Sequence, residues 1–140
     1  MINRVLTNLY QGNYEDISDN KKDFKWIFAV ADVPKYTTKM SIYNLKDGEN
    51  TLNNKQLFLD AIHDISHRIQ NSDIKRKIAI HCHAGISRSP AVVVGILIDW
   101  GFTFDDAYIF AQEKMPQMLI GPMFIKWLIE YETYLNSRNK

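Results

Sequence analysis

The sequence has a single cysteine among 140 residues, so no disulfide can close within the chain. That excludes a stapled secreted scaffold and favours a reducing, cytoplasmic setting. Glycine and proline are sparse, six and four, which excludes collagen-like and low-complexity designs. No charge of one sign dominates: 17 Lys and Arg face 16 Asp and Glu, a formal net charge of +1. General nucleic-acid binding through a basic surface is therefore not expected, although a local basic pocket fits this balance. Long hydrophobic runs are also missing. The longest, Ala91 to Ile98, falls far short of the roughly 20 residues a bilayer-spanning helix takes. Met1 to Tyr10 lacks a basic segment followed by an apolar stretch, so neither a signal peptide nor a membrane role is expected.

What is present suits one domain over residues 1–140. Apolar residues make up 46% of the chain and charged residues 24%, enough for one core without metal or disulfide staples. No internal repeat or linker interrupts it. Met1 to Tyr10 reads as a short edge strand and Gln11-Gly12-Asn13 as a turn. Asn13 to Lys22 is polar and suits a short helix. Phe24 to Val33 is apolar and rich in strand formers, with Pro34 closing it. Met40 to Leu45 is a second strand, and Lys46 to Asn50 a loop. A helix is expected from about Asn53 to Gln70, where Phe58, Ile62, Ile65 and Ile69 recur at helical spacing. Lys77 to Ile80 reads as a buried strand. Helices follow from Pro90 to Trp100 and from the Thr103 cap to Lys114. Phe124, Trp127, Leu128, Tyr131 and Leu135 mark a last amphipathic helix, and this aromatic stripe reads as core. Strands alternating with helices, then a helical run, predict an α/β fold with a small central sheet flanked by helices.

The segment that carries chemistry is His81-Cys82-His83-Ala84-Gly85-Ile86-Ser87-Arg88-Ser89-Pro90. It joins an apolar strand to a helix. Gly85 tolerates positive φ and lets the backbone come close to a ligand. Pro90 suits a first helical turn. The N–H groups of the loop and of the helix start can therefore point into one concavity, an anion cradle. Such a field also favours a thiolate over a thiol, so Cys82 becomes a nucleophile aimed at phosphorus. Arg88 offers a planar fork for two phosphate oxygens and keeps its charge at any working pH. Ser89 can donate a hydrogen bond to the sulfur, which makes the thiolate a better leaving group. His81 reads as structural support. His83 reads as solvent- or pocket-facing, contributing chiefly its backbone N–H.

The pattern His-Cys-x5-Arg-Ser resembles the signature of the protein tyrosine phosphatase superfamily. The variant HCHAGISRS is most similar to dual-specificity phosphatases, whose loop commonly reads HCxAGxSRS; every fixed position is matched. Val5 to Gly12 (VLTNLYQG) is similar to that family's "I…LYLG" opening, and the remaining elements fall in the family's order over essentially the whole chain. The resemblance implies a protein tyrosine phosphatase-like fold of dual-specificity type and a metal-independent hydrolase with no cofactor. Its partners would be phosphorylated proteins. Cys82, Arg88, Asp47 and Ser89 would be catalytic, and His83, Ala84, Gly85, Ile86, Ser87 and Arg88 would bind phosphate.

The leaving oxygen needs a proton, and in the family an upstream loop aspartate supplies it. Asp47, after an apolar strand and beside Gly48, is the best match; Asp32 and Glu49 are weaker alternatives. His63 and His67, four apart on a helix, could chelate a metal, but no third ligand is evident and a polar helix face is the plainer reading. Many relatives carry an Arg-Pro pair and then an asparagine that braces the loop. Here Pro116 is kept, Met115 replaces the arginine, and Gly121 falls near the asparagine. The Met-rich stretch around them is expected to line the pocket's edge. No counterpart of the long substrate-recognition loop of tyrosine-specific enzymes is evident, so a shallow pocket would accept phosphoserine and phosphothreonine besides phosphotyrosine. Two further readings keep the cradle but change its use: hydrolysis of RNA 5′-ends or phosphoinositides, and a phosphate-binding pseudophosphatase scaffold. The first tends to place basic residues at the loop's variable positions; His83, Ala84, Ile86 and Ser87 include no lysine or arginine.

Overall fold

A computed structural model describes residues 1–138. Five strands form one sheet in the order β1-β2-β5-β3-β4. They are β1 (Ile2–Arg4), β2 (Leu9–Gly12), β3 (Trp26–Ala29), β4 (Met40–Ile42) and β5 (Ile78–His81). β1 runs antiparallel to β2; every other pair is parallel. The helices are α1 (Tyr14–Asp19), α2 (Leu52–Gln70), α3 (Arg88–Asp99), α4 (Phe104–Lys114) and α5 (Pro122–Arg138), with one 3-10 turn at Lys21–Asp23. This is the α/β architecture expected. Among the described residues, no helix is long and apolar enough to cross a membrane.

The core explains the central placement of β5 and α3. All four residues of β5 are buried, as befits a parallel strand covered on both faces. α3 is buried continuously from Ser89 to Ile98, so it cannot be a surface helix. It packs on β2 and β5 and is enclosed by α2, α4 and α5. Thr51 and Thr103 cap α2 and α4 by accepting the N–H of Asn54 and Asp106, which satisfies donors the helix leaves unpaired.

Several boundaries differ from the sequence reading. Met1 to Tyr10 is a hairpin, not one strand: the chain reverses between β1 and β2, closed by the Val5 N–H on the Leu9 carbonyl at 2.8 Å. The Arg4 guanidinium donates to the Thr7 carbonyl in the same turn. Gln11 and Gly12, expected in a turn, complete β2, because the Gln11 side chain is buried with partners of its own. β3 is much shorter than Phe24 to Val33. Val30, Ala31 and Val33 are buried beyond its end, so the apolar run marks burial rather than ladder length. β4 likewise stops before Leu45, which is buried as an anchor. β5 is displaced by one residue from Lys77–Ile80 and ends on His81. α3 begins at Arg88 rather than Pro90, which leaves Pro90 inside the first turn, where a missing N–H is tolerated.

Phe58 of α2 is fully buried, its ring 5.2 Å from that of Phe124 and 5.9 Å from that of Trp127, both on α5. Phe58→Ala should cost about 3–5 kcal/mol of stability. Urea unfolding checks this: the midpoint should fall with little change in slope, and an unchanged midpoint would mean α2 and α5 do not depend on this contact.

Candidate active site

The chain leaves the sheet at the C-terminal end of β5 and turns into α3 through residues 82–87. Cys82 is 2% exposed at the start of that turn. Gly85 has φ +74°, and a Cβ there would come within 3.0 Å of the Gly12 carbonyl group at the end of β2. Both facts require glycine. The outside of the loop is held by the Tyr14 N–H, which donates to the His83 carbonyl at 3.0 Å. Among the described residues, the N–H groups of His83 through Ser87 enter no backbone hydrogen bond. They remain donors for solvent or an anion, beside the N-terminus of a 12-residue helix.

Cys82 Sγ lies 3.3 Å from Ser89 Oγ. Ser89 Oγ accepts from Gln11 Nε2 at 2.8 Å, and the same Nε2 donates to the Gly85 carbonyl at 2.9 Å. Arg88, the first residue of α3, donates through a terminal nitrogen to the Leu45 carbonyl at 3.0 Å. Arg88 therefore ties the loop to the segment that leads into Asp47. A cavity of about 490 Å³ opens here, lined by Asp47, Cys82, Ala84, Ile86, Ser87 and Arg88 together with residues 119–122.

The aspartate sits in an exposed turn, Asp47-Gly48. Asn54, buried in the first turn of α2, grips that turn with three hydrogen bonds. Its Oδ1 accepts the Lys46 N–H at 2.9 Å, and its Nδ2 donates to the carbonyls of Lys46 and Glu49, each at 2.8 Å. Of the candidate acids, Asp47 lines the cavity, whereas Asp32 and Glu49 do not. Asp32 instead presents its carbonyl to His83 Nε2 at 3.0 Å, so the His83 ring is held on the Asp32 segment.

The brace supplied elsewhere by an asparagine is built differently here. The Gly121 N–H donates to Ser87 Oγ at 3.0 Å, and the Leu119 N–H to the Ile86 carbonyl at 2.8 Å. Asp47 Oδ1 lies only 3.2 Å from where a Cβ on Gly121 would stand. Glycine thus leaves room for the carboxylate at the position of the lost asparagine. The Met-rich stretch does line the pocket's edge, through Leu119, Ile120, Gly121 and Pro122, while its methionines Met115 and Met118 are buried in the core. His63 and His67 do not converge. His63 Nε2 pairs with the Tyr131 hydroxyl, and His67 Nδ1 accepts from Asn71.

Sequence reasoning missed Gln11, Asn54, Tyr36 and the Leu45 carbonyl. Tyr36 matters through His81, which is fully buried. A carbonyl can only accept, so the 3.0 Å contact of Nδ1 with the Cys82 carbonyl puts the proton on Nδ1. Nε2 then accepts from the Tyr36 hydroxyl at 2.8 Å. Burial holds the His81 pKa below its usual 6.5 and the Tyr36 pKa above its usual value. His81 is thus a neutral, buried side chain that bridges the Tyr36 hydroxyl and the Cys82 carbonyl.

The lowered His81 pKa gives a stability prediction. Above pH 6.5 the group is neutral in both folded and unfolded chains; below it, the unfolded chain takes up the proton first. Stability should therefore fall as pH drops from 6.5 toward the lowered value. His81→Asn keeps a donor near the Nδ1 position and should flatten that part of the profile. Urea midpoints at neutral and mildly acidic pH test it, and identical slopes in both proteins would remove His81 as the cause.

Comparison with known proteins places the chain in a family. Residues 9–134 match the dual specificity phosphatase catalytic domain. Protein 123R of Invertebrate iridescent virus 6, named as a tyrosine phosphatase, is 30% identical over 97% of this chain and 95% of its own length. Mouse dual specificity protein phosphatase 8 is 23% identical over 96% of this chain, which spans only 21% of that longer protein. Among solved structures, human DUSP28 superimposes with a TM-score of 0.82 at 16% identity, covering 98% of this chain and 97% of that one. The chain belongs to the dual specificity phosphatase family of the protein tyrosine phosphatase superfamily and is a protein phosphatase.

Proposed function

We propose that this phosphatase hydrolyses phosphotyrosine together with phosphoserine and phosphothreonine in proteins, through a cysteinyl-phosphate on Cys82. The observation that carries the reading is the convergence of Cys82, Arg88 and Asp47 on one cavity, with Ser89 behind the sulfur. In the first step the Cys82 thiolate attacks phosphorus. The S–P bond forms, the P–O ester bond breaks, and Asp47 gives its proton to the leaving oxygen. Arg88 and the loop N–H groups carry the phosphoryl charge. In the second step Asp47, now a carboxylate, takes a proton from water as water attacks phosphorus. The S–P bond breaks, inorganic phosphate departs, and Ser89 donates to the thiolate that is released.

The cavity wall supports a protein substrate. Its loop side chains bring in no second cation, and its rim is apolar, with Ile86 39% and Leu119 74% exposed. Among the described residues lining the cavity, a polyanion such as a phosphoinositide headgroup or an RNA end would meet one cation, Arg88. A nucleophilic cysteine works only while reduced, which supports a cytoplasmic setting.

Hydrolysis of p-nitrophenyl phosphate in EDTA tests the chemistry. Wild type should turn over, Cys82→Ser should not, and Asp47→Asn should lose roughly 10²–10⁴ in rate. Turnover retained by Cys82→Ser would overturn the mechanism, and a near-normal Asp47→Asn would move the acid elsewhere. A panel of phosphotyrosine, phosphoserine and phosphothreonine peptides set against phosphoinositide vesicles and 5′-triphosphorylated RNA tests the substrate. Faster release from either non-protein substrate would overturn that part alone.

A further inference from the structure

The opening that resembles LYLG reads LYQG here, so an amide stands where that pattern has an apolar residue. Gln11 is fully buried in β2, and burying an amide is costly unless every polar atom is paired. Each one is. Oε1 accepts from Asn3 Nδ2 at 3.0 Å, its direct cross-strand neighbour on β1. Nε2 spends one hydrogen on the Gly85 carbonyl and the other on Ser89 Oγ. The orientation of the amide is not arbitrary: the Gly85 carbonyl can only accept, so Nε2 must face it. With a lone pair of Ser89 Oγ occupied by Gln11, its hydroxyl hydrogen is directed to the sulfur 3.3 Å away.

We infer that Gln11 is a positioning residue for the reaction. It acts through Ser89 to aim a hydrogen bond at the Cys82 thiolate, and through Gly85 to brace the phosphate loop from beneath. Asn3, Gln11, Ser89 and Cys82 form a directed chain of donors, each orienting the next. The brace at Gly85 adds to the one from the Gly121 and Leu119 N–H groups on Ser87 and Ile86, where the asparagine of related loops is absent. The inference rests on the proposed cysteinyl-phosphate mechanism. A donor to sulfur matters most when the thiolate is the leaving group, so the chain should act mainly on breakdown of the intermediate.

Pre-steady-state hydrolysis of p-nitrophenyl phosphate in EDTA separates the steps. Gln11→Leu should lower kcat roughly tenfold, the worth of one hydrogen bond to a charged group, with a much smaller change in kcat/KM. A burst of p-nitrophenol approaching one per active site should accompany it as the cysteinyl-phosphate accumulates. Ser89→Ala should do the same, and adding Gln11→Leu to Ser89→Ala should change kcat no further. Gln11→Met, similar in length, repeats the measurement should the leucine variant fold poorly. Asn3→Ala, on the half-buried edge strand, should shift kcat and burst in the same direction but less, whether or not the Gln11 variants fold. A wild-type kcat and burst in any folded Gln11 variant, or in Asn3→Ala, would overturn the inference. So would effects of Gln11→Leu and Ser89→Ala that multiply, or kcat and kcat/KM falling equally with a lowered melting temperature. Cys82→Ser measured alongside keeps the two readings apart: turnover there removes the mechanism itself, whereas an inactive Cys82→Ser with a silent Gln11 removes only the relay.

Discussion

A turn that gathers backbone N–H groups around one sulfur is electrostatically productive only if nothing else consumes those donors. Helix and sheet ladders would do so, and free loops would let them rotate away into water. The turn between β5 and α3 avoids both outcomes because its neighbours hold its other groups. The His81 carbonyl is taken by Val30, the His83 carbonyl by Tyr14, the Gly85 carbonyl by Gln11, and the Ile86 carbonyl by Leu119. With acceptors pinned outward along the loop, the N–H groups are left for an anion. The flanking parallel strands, the glycine approach to β2 and the buried start of α3 all serve that partition.

The proposed acid is attached to the same frame by different means. Asp47 is exposed, yet its turn is not a free loop. Asn54 reads both ends of it from the first turn of α2, and Arg88 reaches the Leu45 carbonyl from the first turn of α3. Two helix starts thus set the distance between the sulfur and the carboxylate. Gly121 leaves room beside the carboxylate, since a Cβ there would stand 3.2 Å from Asp47 Oδ1.

Much of this was legible in a short window of sequence. The proposed nucleophile, the cation and the positive-φ glycine lie within seven residues, and their chemistry is local, so a pattern of residue types suffices to nominate them. The helices were equally plain where Phe58, Ile62 and Ile65 or Thr103 and Asp106 kept a period or a cap. What escaped is what depends on distance along the chain. Gln11 and Ser89 are 78 positions apart, and Arg88 and Leu45 are 43 apart; neither pair announces itself before folding. Apolar runs also misled in one direction, since Val30, Ala31 and Val33 are buried without being strand, and Gln11-Gly12 looked like a turn because its polar side chain had no visible partner.

The solitary cysteine has a practical consequence. Every thiol-directed reagent added to this chain has one possible target, with no background from elsewhere. Cys82 is 2% exposed yet lines the cavity, so its labelling rate measures how freely a reagent reaches the sulfur through that cavity. The chain therefore carries its own gauge of access to the site, readable by intact mass, and any anion that settles over the sulfur should slow labelling in proportion to its occupancy.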